Sequence, residues 1–437
     1  MDTNRRSRRS RSHGKHIAAA LAVILVISLL FWWTSAQQMP AITIPKPVMP
    51  NPNAFDTFND AAALQLDAGK VGYAISTKHS GQVKDDRDYT WEEKQKLLAE
   101  NAPVLALLRE GLLQEYRNPP LRSMNTLFPY YAKDRSMARL LALDSSVKAH
   151  RGDYSGAVRS SMDAMDLGAQ VPHGSTLIGG LVGVACSAIG RRPLWQFADK
   201  LSAEEARAAA QRIERIRTKW VPFSETMLEE KWATQASMLE MMRSPNAIGA
   251  AAQSMGGPAP AIVNSPLASN LLFLVYSKRR IMNDYTTYVD GEIARAKQPY
   301  GSTKPTPVPN NPIVQIFVPV YDQASLKSAA NEAQNALVEV VYALRAYRVQ
   351  HGKYPDKLDE LTPSILPRIP TDPFTAGAAL KYRRAGGSYA LYSIGPDGKD
   401  DGGTAIDSGA SQSSNPNERY FTKADSKGDI VAGKNMW

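Results

Sequence analysis

The chain has 437 residues, 43% hydrophobic and 22% charged, a composition that excludes a wholly disordered polypeptide and leaves room for two or three folded units. Its net charge of +10 is not distributed as a nucleic-acid binder's would be. Residues 1–16 hold Arg5, Arg6, Arg8, Arg9, Arg11 and Lys15 against Asp2 alone, and no later run interleaves basic with aromatic residues, so no nucleic-acid partner is expected.

Immediately after this basic tail, "IAAALAVILVISLLFWW" at 17–33 carries no charge and ends in two tryptophans. At about 1.5 Å per residue it reaches roughly 25 Å, short but workable for a transmembrane helix, and Trp32 and Trp33 suit the interfacial belt. Arginines before it hold the N-terminus in the cytoplasm. The favoured reading is a retained signal anchor. A cleaved signal peptide stays open, because Thr34-Ser35-Ala36 offers small residues for cleavage. Both export the remainder, giving a single-pass protein of the bacterial cytoplasmic membrane with an extracytoplasmic C-terminus. Residues 34–54 are rich in proline without apolar periodicity and read as an extended stalk.

From 55 to 300 the periodicity is helical: "YTWEEKQKLLAENAPVLALLREGLLQEY", "SMARLLALDSSVKAHRGDYSGAVRSSMDAMDLG" and "SAEEARAAAQRIERIRTKW" place apolar residues three and four apart. Ser202 with Glu205 gives the third a capping box. The segment around Gly152 and Tyr154 resembles one tetratricopeptide-type hairpin, but no 34-residue repeat surrounds it, so the expectation is an irregular helical body that meets a protein partner. "STLIGGLVGVACSAIG" reads as a close-packed core helix rather than a second span, with Cys186, the lone cysteine, buried and inert. Residues 244–268 read as a loop and 267–297 as one further helix. Residues 301–323 read as a linker.

The last segment, 324–437, opens with a helix whose face holds Ala333, Leu337, Val340, Val341, Leu344 and Tyr347 and which ends at Gly352. A strand "ALKYRR", a Gly-Gly turn, a strand "SYALYSIG", an acidic loop and "GDIV" follow. The helix ending before Tyr354-Pro355, the Asp372-Pro373 pair, Tyr392-Ser393-Ile394-Gly395 leading into Asp397-Gly398, and Gly428-Asp429-Ile430 together resemble the C-terminal domain of the type II secretion major pseudopilin. The resemblance implies a small α+β module and a calcium ion in the acidic loop. The chain departs from that family in two respects. About 290 residues separate the membrane helix from the module, and Gly14 is followed five residues on by Ala19 where the family's processing site has glutamate.

Calcium takes six to eight oxygen ligands, which Asp397, Asp400, Asp401 and Asp429, with Asp407 and nearby carbonyls, could supply. The spacing is not that of an EF-hand, since Lys399 occupies a ligand position. A solvated turn is the competing reading of the same residues.

No catalytic constellation is legible. The six histidines are scattered, "SSVK" at 145–148 lacks the companion motifs of serine–lysine enzymes, and Glu204-Glu205 and Glu229-Glu230 read as solvated acids. The expectation is therefore a mainly α protein that is not an enzyme: membrane helix, irregular helical body, small C-terminal α+β domain. Its expected role is a membrane-anchored scaffold or interaction protein, with secretion or surface assembly as its setting. A pseudopilus subunit and an exported hydrolase are the alternatives.

Overall fold

The structure, a computed structural model, describes residues 21–30, 32–76, 88–123, 128–243, 273–318, 321–407 and 422–435. It is mainly helical with a small C-terminal sheet. The basic tail and the 244–268 loop lie outside the described residues, as does the start of the helix expected at 267.

Helix α1 (Leu21–Gln37) leaves the described apolar side chains of its first three turns exposed, and only Ala36 near its end is buried. The chain beyond it is extended, as its prolines require, but it is not a free stalk. Met39 and Ile42 pack against the body, and Arg122 donates to the carbonyl of Pro45 at 3.5 Å.

The body begins with α2 (Ala54–Leu64), α3 (Ala68–Tyr73), α4 (Trp91–Glu100) and α5 (Ala102–Gly111). These lean on α6 (Pro129–His150), which pairs with α7 (Tyr154–Gln170) across a turn where Gly152 takes φ +81°. Helix α8 (Leu177–Phe197) is apolar and long enough to cross a membrane, yet half of its apolar window is buried inside the protein. Its glycines explain the placement. A Cβ on Gly168 of α7 would lie 2.7 Å from the carbonyl of Gly183, and one on Gly190 would lie 2.5 Å from that of Ser161, so α7 and α8 touch backbone to backbone. With this backbone contact and half of its apolar window buried, α8 is packed against the protein's own helices.

Helix α9 (Ala203–Lys219) starts at the expected capping box, with Ser202 Oγ accepting from the Glu205 amide. Then come α10 (Phe223–Arg243), α11 (Lys278–Ala296) and α12 (Pro312–Ile316). Helix α11 begins later than the apolar pattern implied, because the Ser277 side chain caps it by accepting from the Arg280 amide. The segment read as a linker carries α12, whose Ile313 and Val314, with Phe317 beyond, are buried among α10 and α11.

Helix α13 (Tyr321–His351) ends at Gly352 (φ +74°), as expected. It leads to the antiparallel sheet β1 (Lys381–Ala385), β2 (Ser388–Ser393) and β3 (Ile430–Val431), in that order, with Ala385 opposite Ser388 across the Gly-Gly turn and Ser393 opposite Ile430.

The helical body and the C-terminal segment, expected as separate domains, share apolar packing in this structure. Helix α13 lies along α9 and α8, and one apolar cluster joins Met165, Leu194 and Ile213 of the body to Leu337, Leu391, Ile394 and Ile430. Proline content marked a change of direction in the chain, not a gap between cores. We expect the full chain in detergent to unfold in one calorimetric transition, and the fragments 1–300 and 324–437 to lack cooperative unfolding when made alone. Two separate transitions in the intact chain would show independent domains.

Candidate functional site

Helix α13 is buried on nearly every side, including sides that are polar. Asn331, Gln334, Asn335 and Glu339 fall three, four and eight residues along one face, and all are buried. Opposite them stands Arg191 of α8, 1% exposed. Its Nη1 donates to Asn331 Oδ1 at 2.7 Å and Asn335 Oδ1 at 2.6 Å, and its Nη2 donates to Gln334 Oε1. No carboxylate pairs with it among the described residues. Burial pushes its pKa down to about 9, so it stays charged at neutral pH and its cation is held by amide dipoles alone. Gln334 in turn donates to the carbonyl of Asn435 at 2.8 Å, beyond β3.

One turn further along α13, Arg217 Nε of α9 donates to Glu339 Oε2 at 2.8 Å. Burial raises the Glu339 pKa to about 7 against the pull of Arg217, and its Oε1 meets no donor among the described residues.

Beside this stripe lies a pocket of about 250 Å³, where the turn from α9 to α10, the end of α11 and the first half of α13 come together. Trp220, Phe223 and Tyr300 supply aromatic wall, and Arg217, Asn331 and Glu332 supply polar groups. Asn331 both lines the pocket and gives its amide oxygen to Arg191, which fixes the orientation of its side chain. Glu332 is open to solvent at the rim but crowded by protein elsewhere. That crowding raises its pKa, Arg217 opposing and Asp372 reinforcing the shift. These residues were not singled out from the sequence, because Asn, Gln and Glu on a helix ordinarily mark the solvated side. The only available signal was the amide-rich run "NEAQN" inside an otherwise apolar helix.

The aspartates of the acidic loop are drawn toward β3 but engaged by the protein itself. Asp429, fully buried, accepts from the amides of Asp401 (3.3 Å) and Gly403 (2.7 Å). Asp400 accepts from Tyr392 Oη at 2.9 Å and the Gly402 amide at 3.1 Å and pairs with Lys381 at 3.1 Å, contacts led by Lys381 that lower its pKa. Asp397 accepts from the Lys399 amide at 3.1 Å, and Asp401 contributes its carbonyl to Thr404 Oγ1 at 2.8 Å. No group of three or more His, Cys, Asp or Glu side chains converges as a metal would require among the described residues, and 408–421 lies outside them. Asp372 is the stronger hub: its carboxylate accepts from the Phe374 amide, Ser393 Oγ and the Ile394 amide at 2.8–3.0 Å, fastening its loop to the end of β2.

Cys186 is fully buried, and burial raises its thiol pKa, as an inert cysteine requires. Ser145 hydrogen-bonds Ser161 at 2.8 Å while Lys148 turns to Asp144 and Ser160, so "SSVK" forms no serine–lysine pair. Glu229 and Glu230 are not solvated. Glu229 pairs with Arg117 at 3.2 Å and Arg122 at 3.5 Å, and Glu230 caps α8 by accepting from the Leu177 amide at 3.0 Å. Comparison of the chain with protein-family models, with curated proteins and with solved structures gave no match.

Two measurements follow from these groups. Replacing Asp429 with alanine strands the amides of Asp401 and Gly403, costing about 1–3 kcal/mol, and is expected to lower the melting midpoint in calcium-free buffer. A wild-type midpoint that climbs with ~1 mM calcium, and only while Asp429 is present, would bear out the cation reading. Asp134 on α6 is buried, its Oδ2 meets no donor among the described residues, and burial raises its pKa to about 7, with Arg135 and Lys133 opposing. Its folded pKa exceeds the unfolded value of about 3.9, so the unfolded chain releases this proton first and stability falls as pH rises from about 4 to 7. Asp134→Asn is therefore expected to be more stable than wild type at pH 8, by about 2–4 kcal/mol at most, with the gain vanishing near pH 4. Urea unfolding at the two pH values checks the sign.

Proposed function

We propose that the protein is a membrane-anchored scaffold whose folded body lies outside the cytoplasm. The observation that carries this reading is α1. Leu21, Ile24, Leu25, Ile27 and Leu30 are 58–61% exposed, and no described residue buries them. A helix apolar on every face belongs in a protein core or in lipid, and this one is in no core.

Orientation comes from charge. The arginines at 5, 6, 8, 9 and 11 and Lys15 resist translocation, which puts the tail inside and residues after about 37 outside. The anchor is retained on this reading, since α1 runs helical through Thr34-Ser35-Ala36 and Ala36 is buried. The body supports a binding or scaffolding role because its helices form one continuous frame with a pocket at the seam with α13.

Protease added to spheroplasts is expected to digest the body, whereas protection until the membrane is broken would reverse the orientation. Deleting 17–33 is expected to move the protein from the membrane pellet to the soluble fraction. A pellet unchanged by that deletion would remove α1 as the anchor.

A further inference from the structure

The pocket at the seam carries an assignment independent of whether α1 crosses a bilayer. Its charges are unequal in one respect. Arg217 already gives its Nε to Glu339 at 2.8 Å, whereas Glu332 makes no ion pair or hydrogen bond among the described residues. Glu332 is thus the acid whose charge the pocket leaves without a direct partner, and it stands in a site walled by Trp220, Phe223 and Tyr300.

The aromatic wall is held in place rather than loosely presented. Tyr300 packs edge-on against Phe374, ring centroids 5.6 Å apart, and its amide donates to the carbonyl of Pro373, another lining residue. Trp220 packs against the core cluster shared by α9 and α13, and Phe223 against the cluster of α10 and α11. Both sides of the site are thereby anchored to the interior.

We propose that this pocket binds a primary alkylammonium group, the alkyl chain lying against the aromatic wall and the ammonium seated at Glu332. Aromatic faces attract cations through their quadrupole and attract methylene groups through burial, so one wall serves both halves of such a ligand. The carboxylate completes the site. A cation there favours the ionised form of Glu332 by direct attraction, against the burial that disfavours it. A carboxylate ligand would instead meet Glu332, with only the already paired Arg217 in its favour. At about 250 Å³ the space suits a short chain and its head group rather than a drug-sized molecule. The same chemistry is offered by a free alkyl amine and by the lysine side chain of a partner protein.

The test uses the full chain in detergent and isothermal titration with n-butylammonium, sodium butyrate as the acid of matching length, and a short peptide with one lysine in free or Nε-acetylated form. We expect n-butylammonium to bind and butyrate not to bind. Glu332→Gln is expected to weaken the amine at least about tenfold without lowering the melting midpoint, since Glu332 makes no hydrogen bond or ion pair among the described residues and its ionised form is the one burial disfavours. Trp220→Phe, which keeps a ring in the wall, should weaken it less. Binding of n-butylammonium alone assigns a free amine, and binding of the lysine peptide as well, abolished by acetylation, assigns a partner's side chain. No amine binding, equal binding of butyrate, or full affinity in Glu332→Gln overturns the proposal.

Discussion

A cation buried without a counter-ion is the constraint around which this molecule is arranged. Removing a guanidinium from water costs several kcal/mol unless its donors are met, and Arg191 offsets most of that cost through its two Nη groups, which reach three amide oxygens on one face of α13, while its Nε meets no acceptor among the described residues. Amides are neutral, so the site carries a full positive charge in the protein interior. The arrangement works only if α8 and α13 keep their register, because a slip of one residue on α13 would rotate Asn331, Gln334 and Asn335 away together. Gln334 extends the same constraint to Asn435, past the last strand. Polar contacts of this kind specify one packing where apolar contacts alone would tolerate several.

Around this centre the chain behaves as one body. Backbone contact between α7 and α8, made possible by Gly168, Gly183 and Gly190, sets the position of α8 and so of Arg191. The sheet enters the same apolar cluster through Leu391, Ile394 and Ile430. Asp372 then ties the loop after α13 to the end of β2, so the C-terminal module is fastened both to itself and to the helices.

Much of the local structure was legible in the residues. The α13 stripe from Ala333 to Tyr347, the stop at Gly352, the hairpin at Gly386-Gly387 and the cap at Ser202 are short-range events with short-range signals. The seam pocket was not legible. Hydrophobic periodicity reports which faces are apolar and is silent about polar residues that are buried because a partner distant in sequence satisfies them. Asn331 and Arg191 are 140 positions apart. Glu229 and Glu230 were misread for the same reason, their partners lying on α8 and on the chain after α5. Prolines at 299–312 looked like a break between domains, although Ile313, Val314 and Phe317 return at once to the interior.

The extended segment after α1 has a mechanical meaning. Met39 and Ile42 rest on the same cluster that holds Met238, Tyr285 and Val314, and Ala36 is already covered. A flexible leash would absorb any tilt or pull at α1 before the body sensed it. Here the first contacts with the body come at Ala36, Met39 and Ile42, directly after α1, so load applied at the first helix is passed to the cluster of α10, α11 and α12 over a few residues rather than along a free length of chain.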